Sequence, residues 1–180
     1  MNAIQERRSI RKYLDKKIPN DILLAILESA RLAPSGSNTQ PWRFLVVEDF
    51  AAKQRIMTAD HQQEWMMSAP IFIVCAADLH CRTEKIEQNT LSENSNNPDV
   101  KLIIRDTAIA VEHILLEAQN QGIGSCWTAW FEQKDMKTAV NAPASYYISA
   151  VVTLGYAAEQ PAPRPRKPLN TLVSFGSWQV

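Results

Sequence analysis

Residues Ile71–Ala77 read IFIVCAA, seven positions without a charge or an amide. A strand with one face in water alternates apolar and polar side chains. A strand that is apolar on both alternating faces belongs inside a sheet covered on both sides. The wider apolar run, Ala69–Ala77, has Pro70 inside it and is about half of the ~20 residues a membrane-spanning helix needs. No membrane segment is expected. The other elements must instead divide between the two faces of this strand.

Upstream, WRFLVVE (Trp42–Glu48) reads as a second strand, and residues 49–67 as helix in two pieces. Further upstream, Ile22, Leu23, Ile26, Leu27, Ala30 and Ala33 fall at helical spacing behind Pro19, Asn20 and Asp21. Asn20 is placed to cap that helix and Asp21 to complement its dipole. Pro34 ends it, because the residue before a proline is pushed out of the α region. Between helix and strand lies RLAPSGSNTQPW (Arg31–Trp42), a polar, proline-stiffened loop longer than a plain turn requires.

Downstream, residues 78–99 are polar and aperiodic, a flexible excursion with room for one short helix. A long helix follows from about Val100 to Gln121, carrying Ile103, Ile104, Ala108, Val111, Ile114, Leu115 and Ala118, with Gly122 as its stop. That stripe is wider than one core face needs, which leaves part of it for a second subunit. SCWTAWF (Ser125–Phe131) fits a strand or an extended loop, residues 132–140 a short helix, and YYISAVVTLGY (Tyr146–Tyr156) a strong strand. AAEQPAPRPRKPL cannot form regular structure, yet NTLVSFGSW after it is apolar again. Interspersed strands and helices without a clean βαβ series point to an α+β sheet with helices on both faces.

One domain is expected for 180 residues. Nineteen basic and nineteen acidic residues balance to zero, so nothing favours nucleic acid. MNAIQERRSIRKY lacks the apolar core of a signal peptide. Cys75, Cys81 and Cys126 form no CxxC pair, which fits a reducing cytoplasm better than a disulfide or zinc framework.

RRSIR places Arg7, Arg8, Ser9 and Arg11 within five positions, and RPRK places Arg164, Arg166 and Lys167 on the proline-rich arm. Guanidinium groups stay charged and suit phosphate and carbonyl oxygens. Each cluster alone also fits a solvated basic segment, and neither is a phosphate motif. GIG at Gly122–Gly124 lacks the third glycine of a dinucleotide fingerprint. No GxSxG elbow is present, and His61, His80 and His113 lack metal-ligand spacing. His80 beside Cys81 is adjacency without a nucleophile–base geometry. With no obvious side-chain nucleophile, a reaction here is more naturally carried by a cofactor.

RRSIRKY, APSGSNTQPWRF, DTAIAVEHILLEAQNQGIGSCW and LGYAAEQPAPRPRKPL keep an order and spacing over essentially the whole chain that resembles the FMN-dependent nitroreductase family in its short form. The resemblance implies a single domain over residues 1–180, with a central mixed, mostly antiparallel sheet of four or five strands flanked by helices. It also implies an intertwined homodimer with two FMN molecules at the shared interface. A C-terminal arm, about residues 157–180, would pack on the partner. By the family pattern, Arg7, Arg8, Ser9 and Arg11 lie along FMN from phosphate to pyrimidine, and Arg166 with Arg164 completes the phosphate clamp. Pro34, Ser35 and Asn38 approach from the other subunit. Gly36 stands where a second serine is common, so one hydroxyl contact is lost. Gln40, Pro41 and Trp42 set how the loop enters its strand.

A backbone N–H facing flavin N5 maps to about Ala129 and Trp130. Trp130 is bulky where members often carry a small residue; it either narrows the pocket, stacks on a substrate or is a core aromatic. Residues 78–99 would border the substrate side. The implied activity needs no metal and no catalytic side chain: NADH or NADPH reduces FMN, then a nitroaromatic, quinone or enal-like oxidant takes the electrons by hydride transfer through N5, in ping-pong order. Reductive dehalogenation and flavin breakdown are alternatives on the same fold. A flavin-binding regulatory or storage protein is the non-enzymatic one.

Overall fold

The computed structural model describes residues 2–82 and 92–178. Four strands form one sheet: β1 (Trp42–Val47), β2 (Ile71–Asp78), β3 (Gly124–Thr128) and β4 (Tyr146–Gly155), in the order β1-β2-β4-β3. Every neighbouring pair is antiparallel. Among the described residues five α-helices accompany them: α1 (Ala3–Glu6), α2 (Asn20–Arg31), α3 (Phe50–Ala59), α4 (Pro98–Asn120) and α5 (Gln133–Val140).

IFIVCAA takes the central place its composition demands. Ile71, Ile73 and Cys75 point into one core with α2 and α4, while Phe72, Val74 and Ala76 point into a second with α3 and α5. Each fully buried isoleucine or phenylalanine contributes about 1.5–3 kcal/mol, so neither face can be uncovered cheaply. The ladder between β2 and β4 shifts at Cys75/Ala76, leaving Ser149 as an extra residue. That bulge lets Ile148 serve one core and Ala150 the other.

One expectation needs correction. Asn20 does not cap α2: it is the first helical residue, Pro19 occupies the cap position without a side-chain bond, and the Pro19 carbonyl accepts Leu23 N–H at 3.1 Å. The α4 stripe is largely covered within the chain, while Ala108 is half-buried and Ile109 is 40% exposed. The helix lies between α2 and the sheet, and Ile103, Ile104, Val111, Ile114, Leu115 and Ala118 are all buried within the chain. The sheet is mostly antiparallel as expected: its strand pairs among the described residues are antiparallel, and the parallel element is a single bridge, Ser9–Ser125. The excursion expected over residues 78–99 is described only in part. Leu79–Cys81 is a 3₁₀ turn, Asn97 caps α4 by accepting Asp99 N–H, and residues 83–91 lie outside the described residues.

Gly122 ends α4 as expected. At φ +72° it carries the paired closing bonds of a left-handed helix stop, Gly122 N–H to Gln119 O at 3.1 Å and Ile123 N–H to Ala118 O at 2.8 Å. No helix among the described residues is long and apolar enough to cross a membrane.

Candidate functional site

The two ends of the chain meet beside β3. Ile10 N–H donates to Ser125 O at 2.9 Å, Leu14 N–H to Tyr156 O at 2.8 Å, and Ala158 N–H to Lys12 O at 2.9 Å. Glu159 closes the seam: its Oε1 accepts Arg11 N–H at 2.5 Å and Lys12 N–H at 3.2 Å. Two glycines make this close approach possible. Gly124 and Gly155 face each other across the ladder. A Cβ on Gly124 would stand 3.0 Å from Ile10 Cγ1, and one on Gly155 2.7 Å from Tyr13 Cδ1. Tyr13 pins the segment by bonding Ile10 O at 2.6 Å and Thr153 Oγ1 at 2.7 Å. Burial pushes its phenol pKa up, so it stays neutral.

This seam creates a cavity of about 570 Å³, with Arg7, Arg8, Ser9 and Arg11 on one side and Glu159, Arg164 and Arg166 on the other. Among the described residues none of these five arginines makes an ion pair; the pairs formed are Arg31–Glu28, Arg43–Asp78 and Arg82–Asp99. Arg8 Nη1 donates to Gln5 O and Arg7 O, and the Arg11 guanidinium lies 5.6 Å from the centre of the Trp65 ring. Glu159, the one carboxylate in the lining, is engaged with backbone amides. Such an excess of rigid donors suits a dianionic phosphate monoester, so the residues present fit the phosphate end of FMN.

Ala129 and Trp130 directly follow β3. Trp65 Nε1 donates to Gln63 Oε1 at 3.0 Å, Gln63 Nε2 to Thr128 Oγ1 at 3.0 Å, and Thr128 Oγ1 to Asp60 Oδ2 at 2.6 Å. One hydrogen-bonded chain thus runs from beneath Arg11 to the residue preceding Ala129. Trp130 is 66% exposed, which excludes the core-aromatic expectation. Its indole stacks on His61 with ring centres 4.3 Å apart and planes 4° from parallel, and His61 Nδ1 contacts Trp130 O.

Within one chain the structure does not bring Pro34, Ser35, Gly36 and Asn38 to the arginine cavity. Their loop lies against the first half of α4. Gly36 N–H donates to Asp106 Oδ2 at 2.9 Å, Arg82 Nη1 donates to Gly36 O at 3.1 Å, and Ser35 Oγ accepts Gln40 N–H at 3.0 Å. Pro41 O accepts Asp78 N–H and Trp42 is buried, so the loop's exit into β1 is firmly held.

Sequence reasoning missed Glu159, Asp60, Gln63, Trp65 and Asp106. Only Glu159 carried a signal, as the single acid at the head of a basic, proline-rich arm. Among the described residues no group of three or more His, Cys, Asp or Glu could hold a metal ion.

The sequence profile described as the Nitroreductase family matches residues 4–63 and 54–156. The chain is 30% identical to an NADH dehydrogenase of Thermus thermophilus over 190 aligned residues, covering 95% of this chain and 93% of that one. Its fold is similar to the crystal structure of a nitroreductase family protein from Clostridium novyi NT, with a TM-score of 0.73 and 31% identity over 87% of this chain and 84% of that one. It is also similar to an FMN-dependent nitroreductase from Clostridium difficile R20291, with a TM-score of 0.76 and 26% identity over 98% and 99% of the two chains. With the profile covering most of its length and the fold agreeing, this chain belongs to the nitroreductase family.

Proposed function

We propose that the protein is an FMN-dependent NAD(P)H oxidoreductase acting on small planar oxidants such as nitroaromatics or quinones, as a homodimer with two flavin sites at the seam. The observation that carries this reading is the convergence of Arg7, Arg8, Arg11, Arg164 and Arg166 on one cavity without a balancing ion pair among the described residues. FMN, when bound, supplies two-electron exchange at its N5 to a reductant and an oxidant in turn. The chain's own work is binding and orientation.

Arg7, Arg8, Arg164 and Arg166 hold the phosphate, offsetting the cost of removing a dianion from water. Ser9 adds a hydroxyl. Arg11, its backbone fixed by Glu159 and its guanidinium resting near Trp65, sets a permanent cation toward the pyrimidine and favours the reduced, anionic ring. The Ala129–Trp130 backbone, braced through Thr128 by Asp60 and Gln63, offers the N–H toward N5. Pro34, Ser35 and Asn38 reach the site from a second copy. Support for that copy comes from the arm: Phe175 and Trp178 are 91% and 84% exposed, an apolar ending that a lone chain leaves uncovered.

The purified protein is expected to be yellow, to bleach within seconds when NADH or NADPH is added anaerobically, and to recover colour with a quinone or nitroaromatic. Colour without bleaching would mean a binding protein without turnover, and colourless protein that refuses added FMN would overturn the reading. Arg166→Ala is expected to weaken FMN binding about tenfold to a hundredfold, the size of one charge-assisted contact, measured by flavin fluorescence in dilute solution. An unchanged affinity would remove Arg166 from the clamp.

A further inference from the structure

Both backbone groups of Gly36 are held by charged side chains from distant parts of the fold. The N–H donates to Asp106 Oδ2 at 2.9 Å and the carbonyl accepts from Arg82 Nη1 at 3.1 Å. Asp106 is a buried residue on α4. Arg82 Nε in turn donates to Asp99 Oδ1 at 3.1 Å, in the first turn of the same helix. The two anchors therefore share one rigid element, whose other face packs on α2 and the sheet.

The loop they hold is strained. Ser37, Asn38 and Gln40 take left-handed backbone at φ 54°, 55° and 49°, a conformation that residues with side chains keep only when their surroundings over-determine it. The residue type at position 36 has a direct geometric reason as well. A Cβ there would lie 2.9 Å from Arg82 Nη1 and 2.9 Å from Leu102 Cδ2. The Arg82 guanidinium occupies the space a side chain would need.

We infer that Arg82 and Asp106 are positioning residues for flavin binding: they clamp the Gly36 peptide and so hold Ser35 and Asn38 in the geometry presented across the dimer seam. Glycine at 36 is what admits Arg82. The inference rests on the flavin reading of this loop. An unclamped loop populates its binding geometry only part of the time, and the apparent affinity falls by that fraction.

Flavin affinity is measured by fluorescence titration of apoprotein for wild type, Arg82→Ala, Arg82→Lys, Asp106→Ala, Asp106→Asn and Asn38→Ala. Arg82→Ala and Asp106→Ala are each expected to raise the FMN Kd about tenfold, as a fall of the competent fraction to about a tenth would. Asp106→Asn keeps an acceptor for Gly36 N–H and is expected to restore most of the affinity. Arg82→Lys, which reaches one partner but not both, restores part. The thermal midpoint of Arg82→Ala apoprotein is expected near wild type, since a half-exposed ion pair contributes little stability.

Gly36→Ser supplies the readout that a merely structural role would not move. It is expected to weaken FMN binding when Arg82 is present, and to cause no further loss when Arg82→Ala has vacated the space. Weakened binding in Asn38→Ala, with Arg82→Ala and Asp106→Ala unchanged, would overturn the clamp and leave the flavin reading intact. An unchanged Asn38→Ala would overturn the loop's place at the flavin and the clamp with it. Should Asp106→Ala not fold, the Gly36–Arg82 cycle decides alone.

Discussion

Asp60 carries a fully buried carboxylate with one of its two oxygens bonded: Oδ2 accepts from Thr128, and Oδ1 has no partner among the described residues. Burial raises its pKa above the ordinary 3.8, against the hydrogen bond of Thr128, which lowers it. A carboxyl whose folded value lies above its unfolded value binds protons more readily in the folded state. Its favourable contribution is complete below the unfolded value and is lost as pH rises through the folded one. Asp60→Asn keeps an acceptor for Thr128 without the charge. The variant's thermal midpoint is therefore expected to exceed wild type at pH 8, with the gap closing toward pH 4 in a melting series. A gap independent of pH would show that Asp60 does not titrate in that window. At this scale the arginines were legible because a permanent charge has few readings. Asp60 was not, because one acid among polar residues resembles any solvated side chain until the fold buries it.

Among the elements, the crossing of residues 9–14 over the Gly124–Gly155 pair matters most for the site. Gly155→Ala places a methyl 2.7 Å from both Tyr13 Cδ1 and Pro70 Cδ. Overpacking of this kind costs about 1–3 kcal/mol. The loss is expected in denaturant unfolding, together with weaker FMN binding, because Tyr13 anchors the segment that carries Arg11. A stability equal to wild type would mean that the segment moves aside freely. Helices and strands with strong periodicity were legible to within a few residues at their ends. Asn20 was misplaced by one position because Pro19, rather than a side-chain acceptor, precedes the first turn of α2. The segment Ser125–Phe131 was ambiguous because its pairing with β4 stops at Thr128, and only the partner strand defines that limit.

For the whole molecule, the arm beyond β4 divides into two parts. Residues 161–164 and Arg166 line the arginine cavity in their own chain, whereas Leu169, Leu172, Val173, Phe175 and Trp178 are exposed. Removing residues 169–180 leaves Arg164 and Arg166 in place. Sedimentation of the truncated protein at micromolar concentration is expected to show a shift from dimer to monomer, with loss of bound flavin despite the intact clamp. A truncated dimer that keeps its flavin would mean that another surface carries the association.

From its covalent order alone, the chain determined a two-faced central strand in IFIVCAA, helices ended by Pro34 and Gly122, and two permanent-charge clusters. Periodicity, backbone restriction and charge are local properties that need no partner to be read. Only the tertiary structure decided that the clusters face one cavity, that Gly124 and Gly155 open the path between them, and that Arg82 and Asp106 grip one peptide. The contacts between the chain ends join residues up to 148 positions apart, and they form where the order β1-β2-β4-β3 brings β3 to the edge that both ends pass.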